Sequence, residues 1–348
     1  MKKIILIYLL CTFNLLLHAQ TPYEDTTHWK LIIDDDFSSL RDTLWEKVHD
    51  MSWGLECYSN DKTVLSNNTL NLTCDINPNY DPEDTLSKPY VSGGIWSLNK
   101  RPYSYGYFEI ETKMPPRSRG YWGGFWLHVG AADSVECNSP CNDFFDTKIW
   151  HELDIFEPYG CPSENPNNFP SSARKTEIEC CSRILSKNNN LNTYLDLEFN
   201  KIAAIWMPKE AIIYVNGVET VDLRDDYKYN YVPSIPMYLY ITFQVDKGGC
   251  RPNASSIFPA TWQFRKFKYY QLKTKCDEDI NEEYFDFINH DYYVQKSYHL
   301  TNSTVPNNSN VYIRAVNDIV LDGDFEVPLG SNFNAIVHYG ICPGEIEN

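Results

Sequence analysis

In the octapeptide Trp150-His151-Glu152-Leu153-Asp154-Ile155-Phe156-Glu157, acidic and apolar residues alternate from Glu152 to Ile155. Successive side chains of a strand point to opposite faces, so Trp150, Glu152 and Asp154 share one face and His151, Leu153 and Ile155 the other. Strict alternation would send Glu157 to the apolar side. One extra residue in a β-bulge around Ile155 and Phe156 returns it to the face of the other acids, and bulges are frequent beside functional sites. Similar short runs surround this strand. Thr69 to Cys74, Tyr105 to Lys113, Gly124 to Val129, Ile202 to Trp206, Ala211 to Val215 and Tyr238 to Val245 are rich in β-branched and aromatic residues. Gly, Pro, Asn and Asp separate them at short intervals, and helical periodicity is scarce. Asn216-Gly217 after Ile212-Ile213-Tyr214-Val215 marks a tight hairpin, since such a turn needs the positive φ that Asn and Gly tolerate. The pattern predicts an all-β sandwich or barrel.

With the bulge, Glu152 and Glu157 stand about four strand steps apart, ~13 Å between Cα atoms, and carboxyls leaning together by ~4 Å each approach to ~5 Å. Retaining glycosidases hold their two carboxyls ~5 to 5.5 Å apart, one attacking the anomeric carbon while the other protonates the leaving oxygen. Glu152 is the expected nucleophile and Glu157 the acid and base. Asp154, between them, is placed to hydrogen-bond Glu152 and to raise the proton affinity of its neighbours. Two blander uses compete: a solvated acidic strand surface and a calcium site. The apolar Leu153, Ile155 and Phe156 mark the strand as central, against the first, and calcium sites usually draw ligands from loops, against the second.

Glu152, Asp154 and Glu157 fit the bulged pattern Glu, any, Asp, any, any, Glu, and the flanking features keep a set order. Tyr105-Gly106-Tyr107-Phe108-Glu109 comes first, then Gly120-Tyr121-Trp122-Gly123-Gly124-Phe125-Trp126-Leu127, the acidic strand, Ala203-Ala204-Ile205-Trp206, and Tyr214-Val215-Asn216-Gly217. In this the chain resembles glycoside hydrolase family 16, the group of laminarinases, lichenases, agarases, porphyranases and carrageenases, over roughly Trp29 to Leu272. The resemblance implies a two-sheet jelly roll of the concanavalin A type, a concave substrate cleft, retaining chemistry and cleavage within the chain. This sequence departs from the family in carrying Glu111 where Arg is frequent, Gly123-Gly124 in place of Pro-Ala, Gln244 in place of Asn, and an insertion spanning Cys161 to Cys181.

Sugar rings present apolar C–H faces to flat aromatic side chains. Trp122, Trp150 and Trp206 are the expected stacking residues of the cleft, with Glu109 and Gln244 as polar substrate-binding candidates, whereas Trp126 is expected in the core. His151 points away from the acids and is expected to be packed. The resulting reading is a secreted, retaining endo-β-glycanase acting on a β-1,3-glucan or a galactan. Its rivals are a transglycosylase using the same trio and a non-catalytic carbohydrate-binding jelly roll.

Residues 1–19 have the basic start, apolar run and small-residue cleavage site of a secretory signal peptide. Eleven cysteines include Cys11 within that segment, so its removal leaves an even number, consistent with disulfides in an oxidising compartment. Residues 20–275 are expected to form the catalytic domain, 276–310 a linker-like segment and 311–348 a small β appendage or sorting tail. The formal net charge of −17 makes nucleic acid a poor partner and leans towards neutral glycans. No later stretch reaches the ~18 apolar residues of a membrane-spanning helix. The expected partner is a polysaccharide, the expected state a monomer without a required cofactor or catalytic metal, and a structural calcium is compatible with the resemblance.

Overall fold

The computed structural model describes residues 29–337 apart from 85–86, 117–119, 131–150, 159–167, 178–180, 192–193, 208, 226–230, 247–250, 273–274, 286 and 288–291. Among these residues, two largely antiparallel sheets form a sandwich. The ten-stranded sheet has Gly106–Lys113 at its middle, flanked by Asn200–Met207 and the long strand Ala260–Leu272. The seven-stranded sheet runs in the order Cys181–Asn190, Asn168–Glu177, His151–Phe156, Tyr121–His128, Tyr238–Val245, Gly94–Trp96 and Glu46–Lys47. Each expected strand is present, and the acidic strand lies near the centre of this second sheet.

Alternation decides what each sheet buries. Phe125 and Leu127, Leu153 and Ile155, and Leu239, Ile241 and Phe243 line the inner face of the seven-stranded sheet, fully buried in one cluster with Phe108, Ile110, Trp262 and Phe267 of the other sheet. Each large apolar side chain so enclosed contributes roughly 1.5–3 kcal/mol relative to exposure. Gly123 and Gly124 clear space on opposite faces of one strand. A Cβ on Gly123 would lie 1.5 Å from Cζ3 of Trp262 in the core, and one on Gly124 would lie 2.6 Å from Cδ1 of Trp126 on the outer face. The family's Pro-Ala could not occupy this backbone without moving both indoles.

The segment 276–310, expected to be linker-like, instead carries strands Lys275–Glu283 and Tyr292–Thr301. With Asn310–Asp322 and Asn332–Val337 they form a four-stranded sheet paired in parallel throughout, in chain order. Tyr292 pairs with Tyr312 and Asn310 with Asn332, so the chain winds as a solenoid of about twenty residues per coil. The polar runs that suggested a linker are its corners, while Tyr298, Leu300, Val311, Ile313 and Ala315 fill a separate small core. This unit docks on the sandwich through a buried charge: Arg314, with no exposed surface, donates from Nη2 to Glu210. Glu210 also faces Arg224 at 3.3 Å, and Arg224 faces Asp222 at 3.1 Å.

No helix among the described residues is long and apolar enough to cross a membrane. None of their His, Cys, Asp and Glu side chains gather in threes suited to a metal ion. Cys57 and Cys74 are free thiols, and the other cysteines fall on residues whose side chains lie outside the described set.

Candidate active site

The outer face of the seven-stranded sheet brings its side chains into rows. Tyr238, His128, Glu152 and Arg174 stand in register across four neighbouring strands. The next row holds Trp96, Tyr240, Trp126, Asp154 and Ser172. Directly opposed residues on neighbouring strands hold their Cβ atoms ~4.5–5.5 Å apart, so each acid is flanked on both sides by the members of its row. Asp154 and Glu157 are only 4% and 6% exposed, and Glu152 is half-buried, which places the trio in a recess rather than on a solvated surface.

The bulge lies where the alternation requires it. Asp154 pairs with Trp126 and Phe156 with Phe125, so two steps of the acidic strand match one step of its neighbour. Ile155 and Phe156 both enter the core, Phe156 edge-on to Phe169 at 4.5 Å, so alternation resumed after the bulge assigns Glu157 to the outer side. Just beyond it, the Pro158 carbonyl accepts the Gly123 N–H at 3.3 Å and keeps the chain attached to its neighbour. A bulge leaves backbone groups without ladder partners. Here Ser171 donates to the Ile155 carbonyl at 2.7 Å and itself receives Asn189 Nδ2 at 2.8 Å. The next residue, Ser172, faces the other way and donates to Asp154 Oδ2. Adjacent serines thus hold the bulge from the core side and the central acid from the outer side.

Charge in the first row comes from Arg174. Burial pushes His128 down to about 4, opposed by the Gly130 carbonyl bonded to its Nδ1 and reinforced by the Arg174 charge. The imidazole opposite Glu152 is therefore neutral at neutral pH. His151 is buried across from Lys175 and is likewise lowered to about 4, first by burial and then by the charge of Lys175.

Beside the acids lies an aromatic floor. Trp126 stacks on Tyr240 with centroids 4.6 Å apart and an interplanar angle of 29°, and its Nε1 donates to Thr242 Oγ1 at 3.0 Å. Gln244 donates to the same hydroxyl oxygen at 3.1 Å. Trp53, 36% exposed, stands nearly perpendicular to Trp126 at 5.5 Å. The Trp53 turn is held by Glu56, whose buried carboxylate accepts the backbone N–H groups of Val245 at 2.8 Å, Trp53 at 3.1 Å and Gly54 at 3.2 Å. Desolvation outweighs these bonds and raises Glu56 to about 7.

Of the residues expected to bind substrate, Trp122 and Gln244 face the recess, opposite one another on neighbouring strands. Trp150 lies outside the described residues. Trp206 is not in the cleft: it belongs to the ten-stranded sheet, is fully buried between the sheets against Tyr105 and Phe108, and donates from Nε1 to the Pro233 carbonyl at 2.9 Å. Glu109 is also misplaced by the expectation. It sits on the outer side of the ten-stranded sheet, accepting the Tyr107 hydroxyl at 2.9 Å and facing Lys201 at 3.7 Å, with the core between it and the acids. Trp126, expected in the core, is half-buried on the floor beside Asp154. Trp53, Tyr240, His128, Arg174 and Ser172 were not singled out. The alternation of Tyr238 to Val245 held the signal for Tyr240, whereas Ser172 and Arg174 lie on a strand that the polar sequence concealed.

The sequence profile described as glycosyl hydrolases family 16 matches residues 51–263. The fold is similar to that of an endo-β-1,3-glucanase from Pyrococcus furiosus, with a TM-score of 0.58 and 19% identity over 70% of this chain and 95% of that one. It is similar as well to porphyranase B from Zobellia galactanivorans, at a TM-score of 0.56 and 19% identity over 70% and 93%. Among curated proteins, a β-glucan synthesis-associated protein of Candida albicans is 30% identical over 132 residues, which are 32% of this chain and 17% of that protein. An endo-1,3-1,4-β-glycanase of Rhizobium meliloti is 24% identical over 47% of this chain and 29% of that protein. The chain spans less than a third of the length of these curated relatives. With the profile covering well over half of its length, and the acids, bulge and two-sheet fold in place, the chain belongs to glycosyl hydrolases family 16.

Proposed function

We propose that this protein is an exported, retaining endo-β-glycanase in which Glu152 is the nucleophile, Glu157 the acid and base, and Asp154 the group that positions Glu152. The observation that carries the reading is the bulge at Ile155, which puts all three acids on one recessed face. In the first step the Glu152 carboxylate attacks the anomeric carbon while Glu157 protonates the departing glycosidic oxygen, leaving a glycosyl ester on Glu152. In the second, Glu157 removes a proton from water, whose oxygen attacks the same carbon and releases Glu152 as carboxylate. Ser172 fixes Asp154 by donating to Oδ2, and Arg174 stands directly across from Glu152 on the neighbouring strand. No metal or organic cofactor enters either step. A neutral β-1,3-linked glucan is the favoured substrate because the chain is strongly acidic and the aromatic floor offers stacking surface.

Reducing-end release from laminarin, mixed-linkage glucan, agarose, porphyran and carrageenan, with Glu152→Gln measured alongside, tests the reading. Release from one polymer, lost in the variant and giving first products of unchanged anomeric configuration by NMR, is the expected result. Silence across the panel, with glycan binding retained, would instead make the protein a lectin-like binder. A second reading is favoured by the curated relatives named as β-glucan synthesis-associated: transfer of the glycosyl ester to a sugar hydroxyl in place of water. Products longer than the input oligosaccharide would identify it.

A further inference from the structure

We infer that Asn189, two strands away from the acids, is a positioning residue for the acid and base Glu157, acting through Ser171 on the carbonyl of the bulge. The inference rests on the glycanase reading and adds a residue to the machinery of the same site. Glu152 and Asp154 precede the bulge and are held in register from both sides, by His128 and Trp126 on one neighbouring strand and by Arg174 and Ser172 on the other. The register with the second of these strands, Asn168–Glu177, ends at Asp154. On that side the course of the chain towards Glu157 is set by a side chain, the Ser171 hydroxyl bonded to the Ile155 carbonyl at 2.7 Å.

Asn189 fixes the direction of that hydroxyl. A serine has one O–H proton and can point it several ways. Asn189 donates from Nδ2 to Ser171 Oγ at 2.8 Å, which turns the serine proton away from Asn189 and onto the Ile155 carbonyl. The same Nδ2 donates to the Phe169 carbonyl at 3.1 Å, and the Phe169 ring bounds Phe156, the second residue of the bulge. The amide cannot be reversed, because its oxygen would then face that carbonyl; as placed, it accepts from the Thr220 hydroxyl. Thr220 is itself the extra residue of a bulge on the strand Val218–Arg224, at the end of the ten-stranded sheet, since Ile213 pairs with Val221 and Tyr214 with Glu219. Three side chains thus join a bulge at the edge of one sheet to the bulge among the acids of the other. Asn189 and Ser171 have no exposed surface, so bulk water does not compete for their bonds. Removing the amide frees the Ser171 hydroxyl to turn and lets the peptide after Ile155 tilt. A displacement of ~1 Å can cost a catalytic group up to ~100-fold. Glu152 and Asp154 keep their ladder, so the loss falls on proton transfer and spares nucleophilic attack.

The test gives the full chain two substrates: the polymer that the wild type hydrolyses, laminarin on the favoured reading, and a dinitrophenyl β-glycoside of the same sugar. The polymer expels an alcohol that Glu157 must protonate, the aryl glycoside a phenolate that is stable without a proton, and kcat/KM reports formation of the glycosyl ester from either. Asn189→Ala should lower kcat/KM on the polymer about tenfold and leave it unchanged on the aryl glycoside. On the aryl glycoside kcat should fall, because base catalysis of the second step is weakened too. Sodium azide should restore it: the anion attacks the anomeric carbon without a base, releases Glu152 as carboxylate and leaves a glycosyl azide. Thr220→Val, which removes a hydroxyl on the other sheet and keeps its shape, should show the same pattern at about threefold, and Thr220→Ser should recover the loss. Equal losses on both substrates in Asn189→Ala and Thr220→Val, as from partial unfolding, or unchanged kcat/KM on the polymer in both, would overturn the inference. The parent reading fails separately, and takes the inference with it, if the wild type hydrolyses neither kind of substrate.

Discussion

Glu56→Gln isolates a buried charge whose effect on stability runs opposite to that of most carboxylates. Burial raises Glu56 from 4.5 to about 7, despite three backbone N–H donors. At about 1.4 kcal/mol per pH unit, the gap amounts to about 3 kcal/mol of linkage between protonation and folding. The unfolded chain releases this proton near pH 4.5 and the folded chain only near pH 7, so between these values the folded state holds more protons. The contribution is fully present below pH 4.5 and is lost as pH rises through 7. His128 and His151 act in the other direction: their folded values near 4 lie below 6.5, so the stability they contribute is lost as pH falls through that window. Urea denaturation from pH 4.5 to 8 on wild type and Glu56→Gln separates the two, because both proteins carry the histidines. The stability of wild type relative to the variant should fall by about 3 kcal/mol across the range. The Gln amide meeting the Val245 N–H adds an offset of ~1–3 kcal/mol that does not vary with pH. Parallel stability curves for the two proteins would show that Glu56 is not a buried titrating group and would refute the reasoning.

Ser172→Ala removes the donor on Asp154 and should lower kcat about tenfold with the near-UV circular dichroism unchanged, a hydrogen bond to a charged group being worth ~1.5–3 kcal/mol. Ser171→Ala leaves the Ile155 carbonyl unsatisfied in the core and should cost ~1–3 kcal/mol by thermal denaturation, with a larger effect on stability than on KM. Gly123→Ala forces a methyl group into the Trp262 ring and should destabilise by at least the ~1–3 kcal/mol typical of overpacking, seen as a lower Tm. Arg314→Met leaves Glu210 short of one buried partner and should cost ~3 kcal/mol, whereas combining it with Glu210→Gln should cost less than the two single changes together.

The acidic strand was legible because its chemistry and its period disagree at one residue, and a single bulge reconciles them. Gly123-Gly124 was visible as a departure, but not what fills the space it opens: both indoles come from other positions, Trp262 from a strand far along the chain. Alternation assigns a residue to a face and not to a sheet. That is why Trp206 and Glu109, on strands of sound pattern, were expected in the cleft and lie between the sheets and on the far side. Trp126 was misread for a related reason, since Phe125 and Leu127 make its surroundings look continuously apolar although only they face inward. The solenoid was hidden because its buried residues come in twos and threes between polar corners, too few for a period to emerge.

The coil geometry of residues 275–337 has a consequence for how such a chain varies between genomes. Each coil pairs with the coils before and after it, so a unit of about twenty residues can be gained or lost beyond the anchored strand without retuning the strands that precede it. Arg314 sits in the third strand of the series, so the coil that carries it is constrained by the sandwich as well as by its neighbours. Length differences among homologues should therefore accumulate after the anchored coil, apart from the acids on the sandwich.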